Sequence, residues 1–390
     1  MQSLQRWRLR PCPLGENSPL MKSKYVLFAL VIALAAILLS GCSGRALTNS
    51  WPGLASDGNT VYLASAQYLY AVNMDNGQEV WRYPAKSSNS IHFIAQPVIA
   101  PDGTIVIGSS GSDHRLVALD PSQLSGDTVK NPAEKWVFSE AKSSWVAGVL
   151  ILNGKVFAPN SDGFVYVLDL QDGSSTKSAL HKIDLGGTLW SQPSTDGKLV
   201  YVASVDHHLY AIDPNTYQLA WPAIDLGGAA PGTPLVGPDG NVYIGSFASE
   251  VVKVDPATGK ATPVTTTQGW VWGGPMTDGQ NIYFGDLDGN LYAVDAASGN
   301  QVWSIKPDGP VVGNSLIVSD NIIFATESGS VYAVDKSGKI VWQHAVGGQI
   351  YTTPVDATDK IVVAPMQADF SLVALDSTNG NQAWTFKPTN

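Results

Sequence analysis

The chain has 390 residues, of which 14% are charged, with 38 glycines, 24 prolines and a formal net charge of −10. So many turn-forming residues with so little charge exclude a helical bundle or a disordered chain. The acidic balance opposes nucleic acid or an anionic lipid surface as a partner, and the length admits either a few ordinary domains or one large repeat domain.

The chain start reads as an export signal. Met21-Lys22-Ser23-Lys24 is a short basic stretch, Tyr25 to Leu39 is a 15-residue apolar run, and Ser40-Gly41-Cys42 closes it. Charged, then apolar, then small is the layout of a secretory signal. The run is shorter than the roughly 20 apolar residues of a spanning helix, although an uncleaved anchor is the alternative. Leu39-Ser40-Gly41-Cys42 resembles the lipobox of bacterial lipoproteins. The resemblance implies cleavage before Cys42 and acylation of its thiol and new amino group, enough chains to anchor the protein stably. Residues 1–20 are then an upstream extension outside the mature protein, 21–41 the signal peptide and 42–47 a lipidated linker. Ser43 resembles the sorting signal that sends lipoproteins outward in two-membrane bacteria.

Removal of residues 1–41 takes five of the 23 basic and one of the 33 acidic residues, leaving 18 against 32, a net of −14. Lipid rather than surface charge would hold such a body at a membrane. Cys12 and Cys42 are the only cysteines, so the processed body has no free thiol and no disulfide. That excludes cysteine metal sites. A body of this size folds without cross-links.

From residue 48 to 386 one unit recurs eight times, followed by a tail at 387–390. Its register mark is a tight turn: Asp57-Gly58, Asp102-Gly103, Asn153-Gly154, Asp196-Gly197, Asp239-Gly240, Asp278-Gly279, Asp320-Asn321 and Asp359-Lys360, at spacings of 39 to 51. Each turn is followed by an apolar run such as Val242-Tyr243-Ile244-Gly245, a second turn such as Asp288-Gly289, and a strand such as Leu291-Tyr292-Ala293-Val294-Asp295. Ser298-Gly299 then leads into Gln301-Val302-Trp303-Ser304, and a last strand, such as Trp190-Ser191-Gln192-Pro193, precedes the next register turn. Short runs rich in Val, Ile, Tyr and Trp between turn residues are strands. Four antiparallel strands repeated eight times at this period predict an all-β, eight-bladed β-propeller of four-stranded antiparallel blades.

Within each unit an Asp accepts hydrogen bonds from the turn that follows it, a Gly supplies that turn's positive φ, and a Trp stands four residues beyond the Gly. The last spacing holds at Gly77/Trp81, Gly299/Trp303, Gly338/Trp342 and Gly380/Trp384, and Trp221 stands in register eight after Asp213. Trp81, Trp221, Trp303, Trp342 and Trp384 are therefore expected to pack one blade on the next. This phrase resembles the PQQ-type propeller repeat, and eight such units behind a lipobox resemble the BamB-like lipoproteins of outer-membrane protein assembly. The resemblance implies a non-enzymatic, lipid-anchored envelope scaffold. Its implied partners are the membrane, through the lipid, and an outer-membrane assembly machinery; no nucleic acid is implied.

The repeat departs from its pattern in three units. The second carries an insertion around Ser122–Ala133, expected as a surface loop. The third reads as lacking both the Gly and the Trp, and the fifth has Thr262 where Trp is expected. Closure is expected to come from packing of blade eight on blade one without an exchanged strand.

No catalytic constellation, metal set or cofactor is expected. The repeat also occurs in quinone-dependent dehydrogenases, whose resemblance implies an adjacent cysteine pair that this body lacks. The six histidines form no ligand pair beyond adjacent His207-His208, which read as turn residues. One candidate binding feature stands out. In the first strand of each unit, which eightfold symmetry would put nearest the axis if it is the innermost, the position three before the usual Pro reads Trp51, Ile94, Trp145, Trp190, Pro231, Trp272, Val312 and Tyr351. Trp51, Trp145, Trp190, Trp272 and Tyr351 would ring the central channel. There they would bind an extended peptide, a glycan or a flat ligand; plain packing between blades near the axis is the alternative, and the favoured one. A cell-surface sensor of ligands or glycans is accordingly the second functional expectation.

Overall fold

The computed structural model describes residues 51–174 and 181–389. Cys42 and the segments 1–20, 21–41 and 42–47 lie outside them. The described residues form eight four-stranded sheets, each antiparallel and each built from four consecutive strands. In blade 1 these are Gly53–Ser56, Thr60–Ser65, Tyr68–Asn73 and Glu79–Tyr83, from the axis outward. Blade 8 runs in the same order from Val355–Ala357 to Gln382–Phe386, so the wheel closes without an exchanged strand.

Both faces of each blade are buried, which explains why the strands read as apolar runs rather than alternations. Val61 and Leu63 pack towards blade 8, whereas Tyr62 and Ala64 pack towards blade 2. Each joint between neighbouring blades holds one apolar cluster.

The register turns are more than reversals. Asp57 Oδ1 accepts the N–H groups of Asn59 and Thr60, and its Oδ2 accepts the Tyr62 hydroxyl at 2.7 Å. Asp196 with Tyr201, Asp239 with Tyr243 and Asp278 with Tyr283 repeat the arrangement. Burial and the carboxylate push these phenols up, Tyr283 to about 12. Burial acts to raise Asp196, Asp239 and Asp278 as well. The backbone N–H groups and phenols outweigh it and lower all three, helped at Asp239 by the Asn241 side chain. A carboxyl lowered by folding contributes stability above its unfolded value and loses it as pH falls through the folded one. The melting temperature should therefore hold down to about pH 5 and drop below about pH 4, where unfolded carboxyls begin to take protons. Circular dichroism melts across pH test this; an Asp196, Asp239, Asp278→Asn triple variant with an unchanged acid slope would refute it.

The joints are made by docked indoles. Trp384 in blade 8 lies on Gly77 in blade 1, where a Cβ would come within 2.6 Å of the ring, and its Nε1–H donates to Met74 O at 2.7 Å. Trp342 meets Gly380 and Ser377 O, Trp303 meets Gly338 and Lys336 O, and Trp221 meets Gly259 and Pro256 O in the same way. Gly77 has a φ of +71°, so it serves twice: it makes the turn and it leaves room for the ring. In blades 1, 6, 7 and 8 a bulge falls beside the Trp in the outer strand, as where Ala71 pairs Trp81 but Val72 pairs Glu79. The skipped residue in three of them, Val80, Val302 or Val341, is thrown outward and exposed while the indole turns in. Trp81 is buried against Tyr62, but no glycine turn receives it in blade 2.

Three expectations need correction. The insertion in unit two is not an irregular loop: it lengthens the outer hairpin, Leu116–Ser125 with Asn131–Phe138, which stays paired to Ser125 and Asn131. Unit three does carry its glycine: Gly173, at φ +67°, receives Trp136 of blade 2, whose Nε1–H donates to Leu170 O. The inserted residues move Trp136 away from the expected spacing. The first, innermost strand of blade 4 is Ser194–Thr195, and Trp190–Pro193 form the extended approach to it. Where indoles are missing, other side chains fill the joint. His181 of blade 3 packs on Tyr217 of blade 4 at 4.5 Å with the rings tilted by 33°, and Tyr217 itself adopts φ +58° where other turns have Gly. Thr262 pairs with Lys253, the counterpart of Trp with Ala, and Val264 lies beside Gly299 instead.

Candidate functional site

Around the axis the eight approach segments converge. Their small residues allow it: a Cβ at Gly273 would come within 2.9 Å of Gly313 O, and one at Gly232 within 2.7 Å of Gly273 C. Hydrogen bonds then run from blade to blade. Ser191 Oγ donates to Gly232 O at 2.8 Å, Gly274 N–H to Asn314 Oδ1 at 2.6 Å, and Asn314 N–H to Thr353 Oγ1 at 3.0 Å. This polar belt includes Gln96 and Gln192 and surrounds a cavity of about 150 Å³.

Above the belt lies a ring of eight side chains: Trp51, Ile94, Val146, Trp190, Pro231, Trp272, Val312 and Tyr351. Trp51, Trp190, Trp272 and Tyr351 are half-buried. Trp145 is not among them. Its backbone N–H bonds Ser109 O, as Ala230 bonds Ser204 O, Val271 bonds Ser246 O and Val311 bonds Asp286 O. Those four residues are one position before the ring, and all are buried. The indole of Trp145 is 0% exposed, packs at Gly108 and donates to His114 O at 2.8 Å. Blade 3 has Val149 where five of the other blades have Pro, so counting from the proline position gives Val146 as the ring residue.

The aromatic groups do not stop at the ring. Trp270 stacks on Phe247 at 4.8 Å; Phe247 meets Trp272 at 5.4 Å. Trp272 meets Trp51 edge to face at 5.8 Å and 82°, and Trp51 meets Tyr351 at 6.5 Å. A continuous aromatic ribbon therefore crosses the mouth, from the outer face of blades 5 and 6 to blade 8. Its outer end, Trp270, is 52% exposed. Trp270 and Phe247 were not singled out from the sequence. The Trp270-x-Trp272 alternation was the available signal, since period two puts both on one face of an extended segment.

Rigid turns hold the rim. Phe247 N–H bonds Ala229 O, Leu287 N–H bonds Trp270 O and Glu327 N–H bonds Pro310 O. Asp286, fully buried, ties the Leu287 turn by accepting from Asn290 N–H, Gly269 N–H and the Tyr292 hydroxyl. Beside the ribbon, Trp51, Trp272, Leu287, Val312, Glu327 and Tyr351 enclose a second cavity of about 270 Å³. Glu327 Oε1 accepts the Tyr351 hydroxyl at 2.8 Å and Gln349 Nε2–H at 3.3 Å. Burial and then this carboxylate push the Tyr351 phenol up to about 12. Among the described residues no group of three or more His, Cys, Asp or Glu is placed to hold a metal ion.

A closed ring of eight sheets, joined by indoles on glycine turns and pierced by an aromatic-rimmed channel, defines an eight-bladed propeller of the PQQ-repeat type. The chain belongs to the BamB family: the family model described as "Outer membrane protein assembly factor BamB" matches residues 42–179, 174–269 and 287–390. A curated relative of that description from Legionella pneumophila (strain Paris) is 24% identical over 145 residues. That match takes in 37% of this chain and about a third, 32%, of the relative's length. The crystal structure of BamB from Moraxella catarrhalis superposes with a TM-score of 0.64 at 21% identity, over 82% of this chain and 92% of that one. The computationally designed Ika8 protein superposes with a TM-score of 0.67 at 14% identity, over 85% and 98%. At such identities both likenesses speak for the fold alone.

Proposed function

We propose that this protein is a non-enzymatic docking scaffold of the cell envelope, lipid-anchored through Cys42 and acting in outer-membrane protein assembly. Family membership supports the assembly role. The observation that carries the docking role is the aromatic ribbon that ends in exposed Trp270: large rigid rings on hydrogen-bonded turns bury much area against a partner at little entropic cost. The acidic body leaves attachment to the membrane to the lipid rather than to surface charge. A second reading, a sensor of small ligands or glycans, takes its support from the aromatic-lined cavities at the mouth.

The test uses the chain in its native cell. A photo-crosslinking residue in place of Trp270 should capture an outer-membrane barrel protein, and the same barrel protein should co-purify with the unaltered chain. A Trp270→Ala, Phe247→Ala double variant should lose that co-purification without loss of thermal stability. Retention of the barrel protein by the double variant refutes docking through the ribbon; absence of any barrel partner refutes the assembly reading.

A further inference from the structure

The second cavity has a chemistry that a protein-docking face does not require. Its walls are three aromatic rings, two aliphatic side chains and one carboxylate. Trp51 and Trp272 meet at 82° and form a right-angled corner, and Tyr351, tilted by 44° to Trp51, adds a third wall. No lysine, arginine or histidine lines the cavity, and among the described residues Glu327 makes no ion pair.

We propose that this pocket binds an organic cation with a methylated ammonium head, held against the Trp51–Trp272 corner and Tyr351 and balanced by Glu327. Ring faces carry negative potential and attract a cation within about 6 Å, most strongly where water is excluded. The choice of a methylated head follows from the acceptor inventory. A primary ammonium carries three N–H donors and needs as many acceptors. The pocket's one carboxylate already takes two neutral donors on Oε1. A trimethylammonium head donates nothing, so it loses no hydrogen bond on leaving water, and its methyl groups meet Leu287 and Val312. The volume of about 270 Å³ leaves room for such a head with a short tail. The same head occurs in free solutes and in phosphocholine lipids.

Calorimetric titration of the purified full-length chain tests this with choline chloride. The control is 3,3-dimethylbutan-1-ol, which has the same shape without the charge. Choline should bind saturably, and the neutral isostere should bind about tenfold more weakly or less. N-acetyl-lysine methylamide, with its primary ammonium, should also be weaker than choline. Glu327→Gln keeps an oxygen for Tyr351 and Gln349, so it should fold normally and weaken choline by about tenfold. Trp272→Ala should abolish binding. Phosphatidylcholine vesicles that compete with choline assign the head to a lipid, and vesicles that leave the titration unchanged assign it to a free solute. Equal binding of choline and its neutral isostere, unchanged binding by Glu327→Gln, or no saturable heat with choline overturns the proposal. None of these results depends on a protein partner, so failure here leaves the docking reading standing.

Discussion

Trp384→Ala is expected to cost about 3–5 kcal/mol of unfolding free energy, the usual loss for a buried Trp truncated in a core. The indole is 9% exposed and sits in the cluster that joins blade 8 to blade 1, among Val61, Leu63, Tyr70, Val72, Leu372 and Phe386. Its loss leaves Met74 O without its buried donor and opens space over Gly77. No exchanged strand covers this joint, so closure depends on packing and on a few polar ties. Arg82 is one of them: it sits over Tyr68 and Tyr70, pairs with Glu79 at 2.6 Å and donates to Thr389 O. Trp303→Ala provides the comparison. Trp303 makes the same kind of joint between blades 6 and 7 but is half-buried, with its hydrogen bond in an exposed setting. It should cost well under half as much, about 1 kcal/mol, and exposed Trp270→Ala should stay within about 0.5 kcal/mol. Urea unfolding of the three variants checks the order. Equal losses for Trp384→Ala and Trp303→Ala would show that the closing joint bears no special load.

The propeller was legible because its signals are local and repeated. Asp295 takes Ser298 N–H and Asp376 takes Thr378 N–H, as the turn phrase implies. The glycines at 77, 299, 338 and 380 all have positive φ. What repetition hides is the effect of insertions and substitutions on register. Eight residues of extra hairpin separated Trp136 from its turn signal, and a valine in place of proline moved Trp145 by one position. In a strand a shift by one exchanges one face for the other, so a small counting error turns a core residue into a site residue.

The candidate site was legible in part for the same reason. Trp51, Trp190, Trp272 and Tyr351 follow from eightfold register alone and lie at the mouth. The features that make the mouth chemically specific do not follow. Glu327, Leu287 and Phe247 come from hairpin turns between the second and third strands of blades 5, 6 and 7. Nothing in the repeat pattern brings those turns to the axis. That depends on how far each turn leans inward, which the bonds from Leu287 N–H to Trp270 O and from Glu327 N–H to Pro310 O determine.

Truncation separates the two faces at the axis most sharply. Trp145→Ala is expected to cost about 3–5 kcal/mol, while Trp190→Ala costs about 1 kcal/mol or less. Trp145 is fully buried between Phe138 and Tyr166, at 6.4 and 5.7 Å, and donates to His114 O. Its removal leaves a cavity between blades 2 and 3, because Gly108 has no side chain with which to fill it. Trp145→Phe should recover part of the packing but not the hydrogen bond, and should fall between wild type and the alanine variant. Trp190 is half-buried at the mouth, where water can replace it. Denaturant unfolding followed by circular dichroism measures both variants. Equal stability of Trp145→Ala and Trp190→Ala would mean that Trp145 faces the channel after all, and would undo the one-residue register that separates the mouth from the core around the wheel.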